Sequence, residues 1–180
     1  MTFDDITGYG RLWAVRSEGE DDNELRKLFD NWNDVVWLRN FFTAHQNDLT
    51  YFGIKDINTA ISDTIDDSEK LEILFMNMSF DVDLNTIFQP LSDYTREAYL
   101  EKEKTKITKR QKHVSWLRIY AIKLSPDIYI ITGGAIKLTA TMQERRHTVQ
   151  ELVKMEQTRR FLINNGIVDE YGFEDYLREI

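Results

Sequence analysis

The segment from Trp116 to Leu138 constrains the fold most tightly. Trp116–Leu124 (WLRIYAIKL) and Ile128–Thr132 (IYIIT) are rich in β-branched and aromatic residues. Ser125-Pro126-Asp127 between them is a turn sequence, so the pair predicts two adjacent strands. Gly133-Gly134 allows a bend or bulge, and Ala135–Leu138 (AIKL) then predicts a third short strand. A small antiparallel meander of this kind, flanked by a helix, gives an α+β chain when helices dominate the rest.

Helical patterning dominates the first half. Leu25, Leu28, Phe29, Trp32, Val36, Phe41 and Phe42 recur at helical spacing between Asn23 and about His45, with Asn31–Asp34 as a break between two helices. Ile57, Ile61 and Ile65 mark a third helix face, and Ser68 with Glu72 predicts the start of a fourth. Gly10–Arg16 reads as a short first strand. Ile87–Leu91 reads as irregular, because Pro90 interrupts it. Tyr94–Lys112 is highly charged and predicts a partly helical, polar segment. Thr148 with Glu151 looks like a capping box for a last long helix, which Asn165-Gly166 stops. Phe173–Leu177 reads as one final turn. The expected class is α+β in a single domain over 1–180. Its parts are an acidic helical region (1–93), a basic helix and β-meander (94–139) and C-terminal helices (147–178).

Charge divides along the same lines. Residues 101–160 hold 14 Lys+Arg against 6 Asp+Glu, whereas residues 1–100 hold 8 against 20. The net charge of −8 hides this basic segment. A basic face on an acidic chain points to an anionic partner, most often nucleic acid; a solvated face with internal ion pairs accounts for the charge equally well. Cysteine is absent, which excludes disulfides and thiolate chemistry and fits a cytoplasmic protein. No apolar run approaches a membrane span, and Met1–Ile6 has no positive region of a signal peptide, so no membrane association is expected. His45, His113 and His147 lack metal-ligand spacing, and no phosphate-loop or nucleophile-elbow motif occurs, so no cofactor or metal is expected.

The candidate site is therefore cationic. Lys104, Lys106, Lys109, Arg110 and Lys112 form a run suited to RNA backbone. Arg118 is a charge inside an apolar strand and needs a partner or a cleft. Strand alternation puts it on one face with Trp116, Tyr120 and Ile122. Lys137 follows the Gly-Gly pair, and Arg145, Arg146 and His147 precede the last long helix. Such cations could stabilise the charge that develops when a 2′-hydroxyl attacks phosphorus, a reaction that needs no metal. Each also has a structural reading: an ion pair for Arg118, solvent for Lys137, helix capping for Arg145 to His147.

The block from Trp116-Leu117-Arg118-Ile119-Tyr120 through Ile128–Thr132, Gly134-Ala135-Ile136-Lys137-Leu138-Thr139 and Thr141-Met142-Gln143 to the charged helix from Thr148 resembles the C-terminal half of RelE/HigB-type toxins. Phe88-Gln89-Pro90-Leu91 sits where such toxins often carry a Lys-Pro-Leu-like stretch. The resemblance lies mainly over residues 116–162 and is poor over the N-terminal half. It implies a RelE-like small antiparallel sheet flanked by helices, here with an enlarged helical N-terminal half. It also implies an mRNA endoribonuclease acting at the ribosome and neutralised by an antitoxin, often a helix-turn-helix protein. By the same resemblance Arg118, Lys137 and the basic segment Arg145 to His147 would be catalytic. This chain is longer and more acidic than such toxins, and Lys137-Leu138-Thr139-Ala140-Thr141-Met142 replaces their more basic segment. A non-catalytic protein of the same fold, binding nucleic acid or a protein through the 101–160 face, is the alternative reading. A small-molecule enzyme is a third, which no residue pattern specifies.

Overall fold

The computed structural model describes residues 1–91, 100–105 and 114–179. Among the described residues six strands form one mixed sheet: β1 (Thr2–Asp5), β2 (Leu12–Arg16), β3 (Phe88–Pro90), β4 (Glu101–Thr105), β5 (Leu117–Ser125) and β6 (Ile128–Ile136), in the order β1-β2-β6-β5-β4-β3. Among the same residues six α-helices accompany them: α1 (Glu24–Asn33), α2 (Val35–Ala44), α3 (Gln46–Leu49), α4 (Ile57–Met76), α5 (Arg146–Asn164) and α6 (Glu170–Glu179). The class is α+β. The sheet is larger than the expected antiparallel meander, because β2 pairs parallel to β6 through Leu12–Tyr129, Trp13–Ile130 and Ala14–Ile131.

Side chains of β5 and β6 alternate between two cores. Ile119, Ala121, Tyr129 and Ile131 pack with Leu25, Phe29, Trp32, Leu38, Phe42 and Phe75 from α1, α2 and α4. Tyr120, Ile122, Leu124 and Ile130 pack with Met155, Leu162 and Phe173 from α5 and α6. Helices on both faces explain why these strands read as continuous apolar runs rather than alternating ones.

Local chemistry sets the helix ends. Asp34 ends α1 and starts α2, accepting from the Val36 and Trp37 N–H groups, so the expected break falls there. Asp56 caps α4 in the same way. Ser68 does not start a helix: it is buried within α4, and its hydroxyl is 3.3 Å from the Asn33 side-chain amide. The expected capping box at Thr148 and Glu151 lies inside α5. The box that forms is seven residues earlier, where Thr141 and Glu144 satisfy each other around a short 3-10 turn. Pro90 ends an edge strand, a position that tolerates its missing N–H. Residues 101–105 are strand rather than helix; of the rest of the charged segment Tyr94–Lys112, 94–99 and 106–112 lie outside the described residues. Gly133-Gly134 does not end a strand either. β6 runs through it, with a bulge opposite Tyr120 and Ala121.

Candidate functional site

Strand register gathers three cations on one sheet face. Lys104 lies opposite Tyr120, and Arg118 lies opposite Ala135. The Lys137 N–H reaches the Trp116 carbonyl at 2.8 Å, so Lys137 continues β6 with the same alternation as Ala135. Lys104, Arg118, Tyr120 and Lys137 therefore share the face that packs towards α5. Trp116, expected beside them, instead joins the opposite core and donates to the Thr64 hydroxyl.

Arg118 is 7% exposed. Its Nη1 donates to the Ser115 and Leu117 carbonyls at 2.8 and 2.6 Å. Lys104 donates to the Leu91 carbonyl at 3.1 Å, and Lys137 to the Thr139 and Ala140 carbonyls. Among the described residues none of the three forms an ion pair with a carboxylate. Burial depresses the Arg118 pKa. Burial also depresses that of Lys137, and Arg118 and Lys104 push it lower still, with Glu144 opposing them. The Tyr120 hydroxyl is buried without a hydrogen-bond partner, and its pKa rises well above the usual phenol value through loss of solvent. Clustered cations that bond only to carbonyls repel one another, and an anion placed among them relieves that repulsion.

The other expected residues are placed differently. Arg145 forms a forked pair with Asp48, with its Nε 2.8 Å from Oδ2, and so joins the start of α5 to α3. Arg146 is exposed. His147 Nε2 is 2.9 Å from the Ile136 carbonyl, and its ring stands edge-on to Phe41 and His45. Burial holds the His147 pKa below the usual imidazole value, and His45 and Arg145 add to this. Charging His147 is thus harder in the folded protein. Its contribution to stability should persist above about pH 6.5 and fall as pH drops below that value. His147→Gln should flatten this part of the stability–pH curve, read by urea melts between pH 5 and 8. An unchanged slope would place the titration elsewhere. Lys106, Lys109, Arg110 and Lys112 lie outside the described residues.

A second cluster was not anticipated. Lys154 Nζ bridges Glu24 at 2.8 Å and Glu151 at 2.9 Å, joining α5 to α1. Lys27 holds the other Glu24 oxygen and also reaches Glu20, both at 3.2 Å. Burial raises the Glu151 pKa, although Lys154 opposes it. Burial also works against the Lys154 charge, but Glu151 and Glu24 outweigh it and its pKa rises. One sequence signal was available: Glu151 occupies the buried stripe Thr148, Glu151, Met155, Thr158, Leu162 of α5. A carboxylate at such a position requires a partner.

Comparison with known proteins finds no family model, no curated protein and no solved structure that matches this chain. Among the described residues no helix is long and apolar enough to cross a membrane.

Proposed function

We propose that this chain is a RelE/HigB-like protein that binds RNA without cutting it. The observation that carries the reading is the set of three cations, Lys104, Arg118 and Lys137, on one sheet face, which among the described residues bond to carbonyls and pair with no carboxylate, the Glu144 charge acting on Lys137 without a salt bridge. The half-buried Lys104 and Lys137 touch the phosphate, while the buried Arg118 adds positive potential from beneath. Among the described residues of the basic segment, several other cations are neutralised within the protein, as in Lys102–Glu156, Arg145–Asp48 and Arg160–Glu156. Proton transfer is poorly served. His147 is engaged with a backbone carbonyl beside Phe41 and His45, and the Tyr120 hydroxyl is held protonated.

The second reading is the toxin itself: a metal-independent mRNA endoribonuclease at the ribosome, held in check by an antitoxin. Lys137 favours it. Desolvated and flanked by Arg118 and Lys104, it is the group best suited to take the 2′-proton. One experiment separates the two. A 5′-labelled single-stranded RNA is incubated with the purified chain, then read for binding by anisotropy and for integrity on a gel. Binding with intact RNA supports the binding reading, and Lys137→Ala should weaken that binding by about tenfold. Cleavage abolished by Lys137→Ala establishes the toxin reading. Absence of both binding and cleavage removes both.

A further inference from the structure

A cleft of ≈ 350 Å³ opens between the start of α1 and the end of α4, in the acidic half of the chain. Ile6, Leu25, Phe29 and Met76 supply its apolar surface. Leu25 and Phe29 are buried and form its floor, whereas Met76 is 55% exposed at its rim. Apolar surface continues beyond the cleft. Ile73 stands one turn before Met76 on α4 and is 60% exposed. Past the end of α4, Phe80 is 65% exposed and meets Tyr9 edge-on at 5.9 Å. Ile6 and Met76 share the cleft, and Tyr9 and Phe80 touch, so the segments Ile6–Tyr9 and Met76–Phe80 run together. Large apolar side chains left together in water, with a polar rim, mark an interaction surface.

The rim is acidic. Asp4, Asp21, Asp22 and Glu72 line the cleft, and the cation beside them, Arg26, is already paired with Asp30. Asp4 is held by Arg16 and Asn23. Among the described residues Asp21, Asp22 and Glu72 form no ion pair. Arg11, at the far end of the patch, lies over the Phe80 ring and pairs with Asp127. No group of carboxylates and imidazoles among the described residues is arranged to hold a metal ion. The carboxylates therefore stand as the charged border of an apolar surface.

We propose that this face docks a basic amphipathic helix of a partner protein. A helix laid between two helices buries an apolar stripe, and its flanks meet the rim. The stripe covers Met76, Ile73 and Phe80, and lysine or arginine on its flanks meets Asp21, Asp22 and Glu72. Charge decides the occupant. The same carboxylates repel RNA, an anionic membrane and an acidic helix. A second copy is poorly suited, because several cations of its 101–160 segment are paired internally. The proposal is separate from the RNA reading: α1 and α4 pack on the sheet face opposite Lys104, Arg118 and Lys137.

A fluorescein-labelled peptide of about 18 residues, with leucine on one helical face and lysine on both flanks, is titrated with the full chain and read by anisotropy. One control peptide has the same residues with the leucines scattered. The other keeps the pattern with glutamate for lysine. The expected result is saturable binding of the first, about tenfold weaker binding of the scattered peptide and none of the acidic one. The Asp21→Asn, Asp22→Asn, Glu72→Gln triple variant should weaken binding by about tenfold. Met76→Ser, at an exposed position, should weaken it severalfold and serves should the triple variant fail to fold. Glu174→Gln, Asp175→Asn and Glu179→Gln together remove the same charge from exposed positions of α6 and should leave the affinity unchanged. Equal binding of the scattered peptide, an equal loss in the α6 variant, no binding at all, or full affinity in the folded cleft variants overturns the proposal. So does a dimer of the chain alone, seen by sedimentation velocity, that Met76→Ser dissociates, since the face then belongs to a second copy.

Discussion

Gly134→Ala should destabilise the protein by about 3 kcal/mol, near the upper end of overpacking penalties. A Cβ at this position would stand 2.5 Å from the Arg118 carbonyl oxygen and 2.7 Å from Leu28 Cδ1. Leu28 can turn aside. The Arg118 carbonyl cannot, because it belongs to β5, paired here through Ile119 and Gly134. The new methyl must therefore open the centre of the sheet. The midpoint of thermal unfolding should fall by about 6–12 °C for a chain of this size. Adding Leu28→Ala should not restore it, since the backbone clash remains. Gly166→Ala is the useful contrast. That residue has φ +71 with open space around it, so only the left-handed backbone penalty of about 1 kcal/mol applies. A Gly134→Ala variant as stable as Gly166→Ala would show that β5 and β6 are not packed as described.

Lys154→Met should cost about 2 kcal/mol at neutral pH. That is below the range for breaking a fully buried pair, because the Lys154 side chain is 42% exposed. The damage lies in what remains. The Glu24 and Glu151 side chains, 11% and 9% exposed, would face each other without their shared cation. The loss should depend on pH with a definite sign. The Glu151 pKa lies above its ordinary value of 4.5, so the folded state holds a proton that the unfolded state releases. That contribution is complete below about pH 4.5 and disappears as pH rises through the folded pKa. Removing Lys154, which lowers this pKa, moves the window upward. Urea melts of the variant should therefore recover towards the parent as pH is lowered from 7 to 5. A deficit constant over that range would mean that Glu151 does not carry the penalty.

The legible parts of this fold are those with local chemistry. The break at Asp34 was readable because an aspartate can end one helix and cap the next. The β5–β6 hairpin was readable from its turn, and the end of α5 from Asn165-Gly166. What escaped was set by distant partners. β1 and β3 are short edge strands of four and three residues that exist because β2 and β4 pair with them. The parallel β2–β6 pairing joins residues more than a hundred positions apart. Ser68 resembled a helix start until Asn33 of another helix supplied a contact for its hydroxyl. The site divides in the same way. Arg118 and Lys137 stood out as cations within apolar strands, and register placed Lys104 beside them. Arg145 and His147 stood out only as a basic segment before the last long helix, and Asp48 and the Ile136 carbonyl engage them.

The central claim is that Lys104 and Lys137 hold phosphate above a buried Arg118. It is tested most directly by the salt dependence of single-stranded RNA binding in the parent and in the Lys104→Ala, Lys137→Ala double variant. Each phosphate contact contributes about −0.7 to the slope of log affinity against log salt. The account predicts a slope smaller by about 1.4 in the folded double variant, with weaker binding at low salt. An unchanged slope and affinity would contradict it and place the RNA contact elsewhere on the chain.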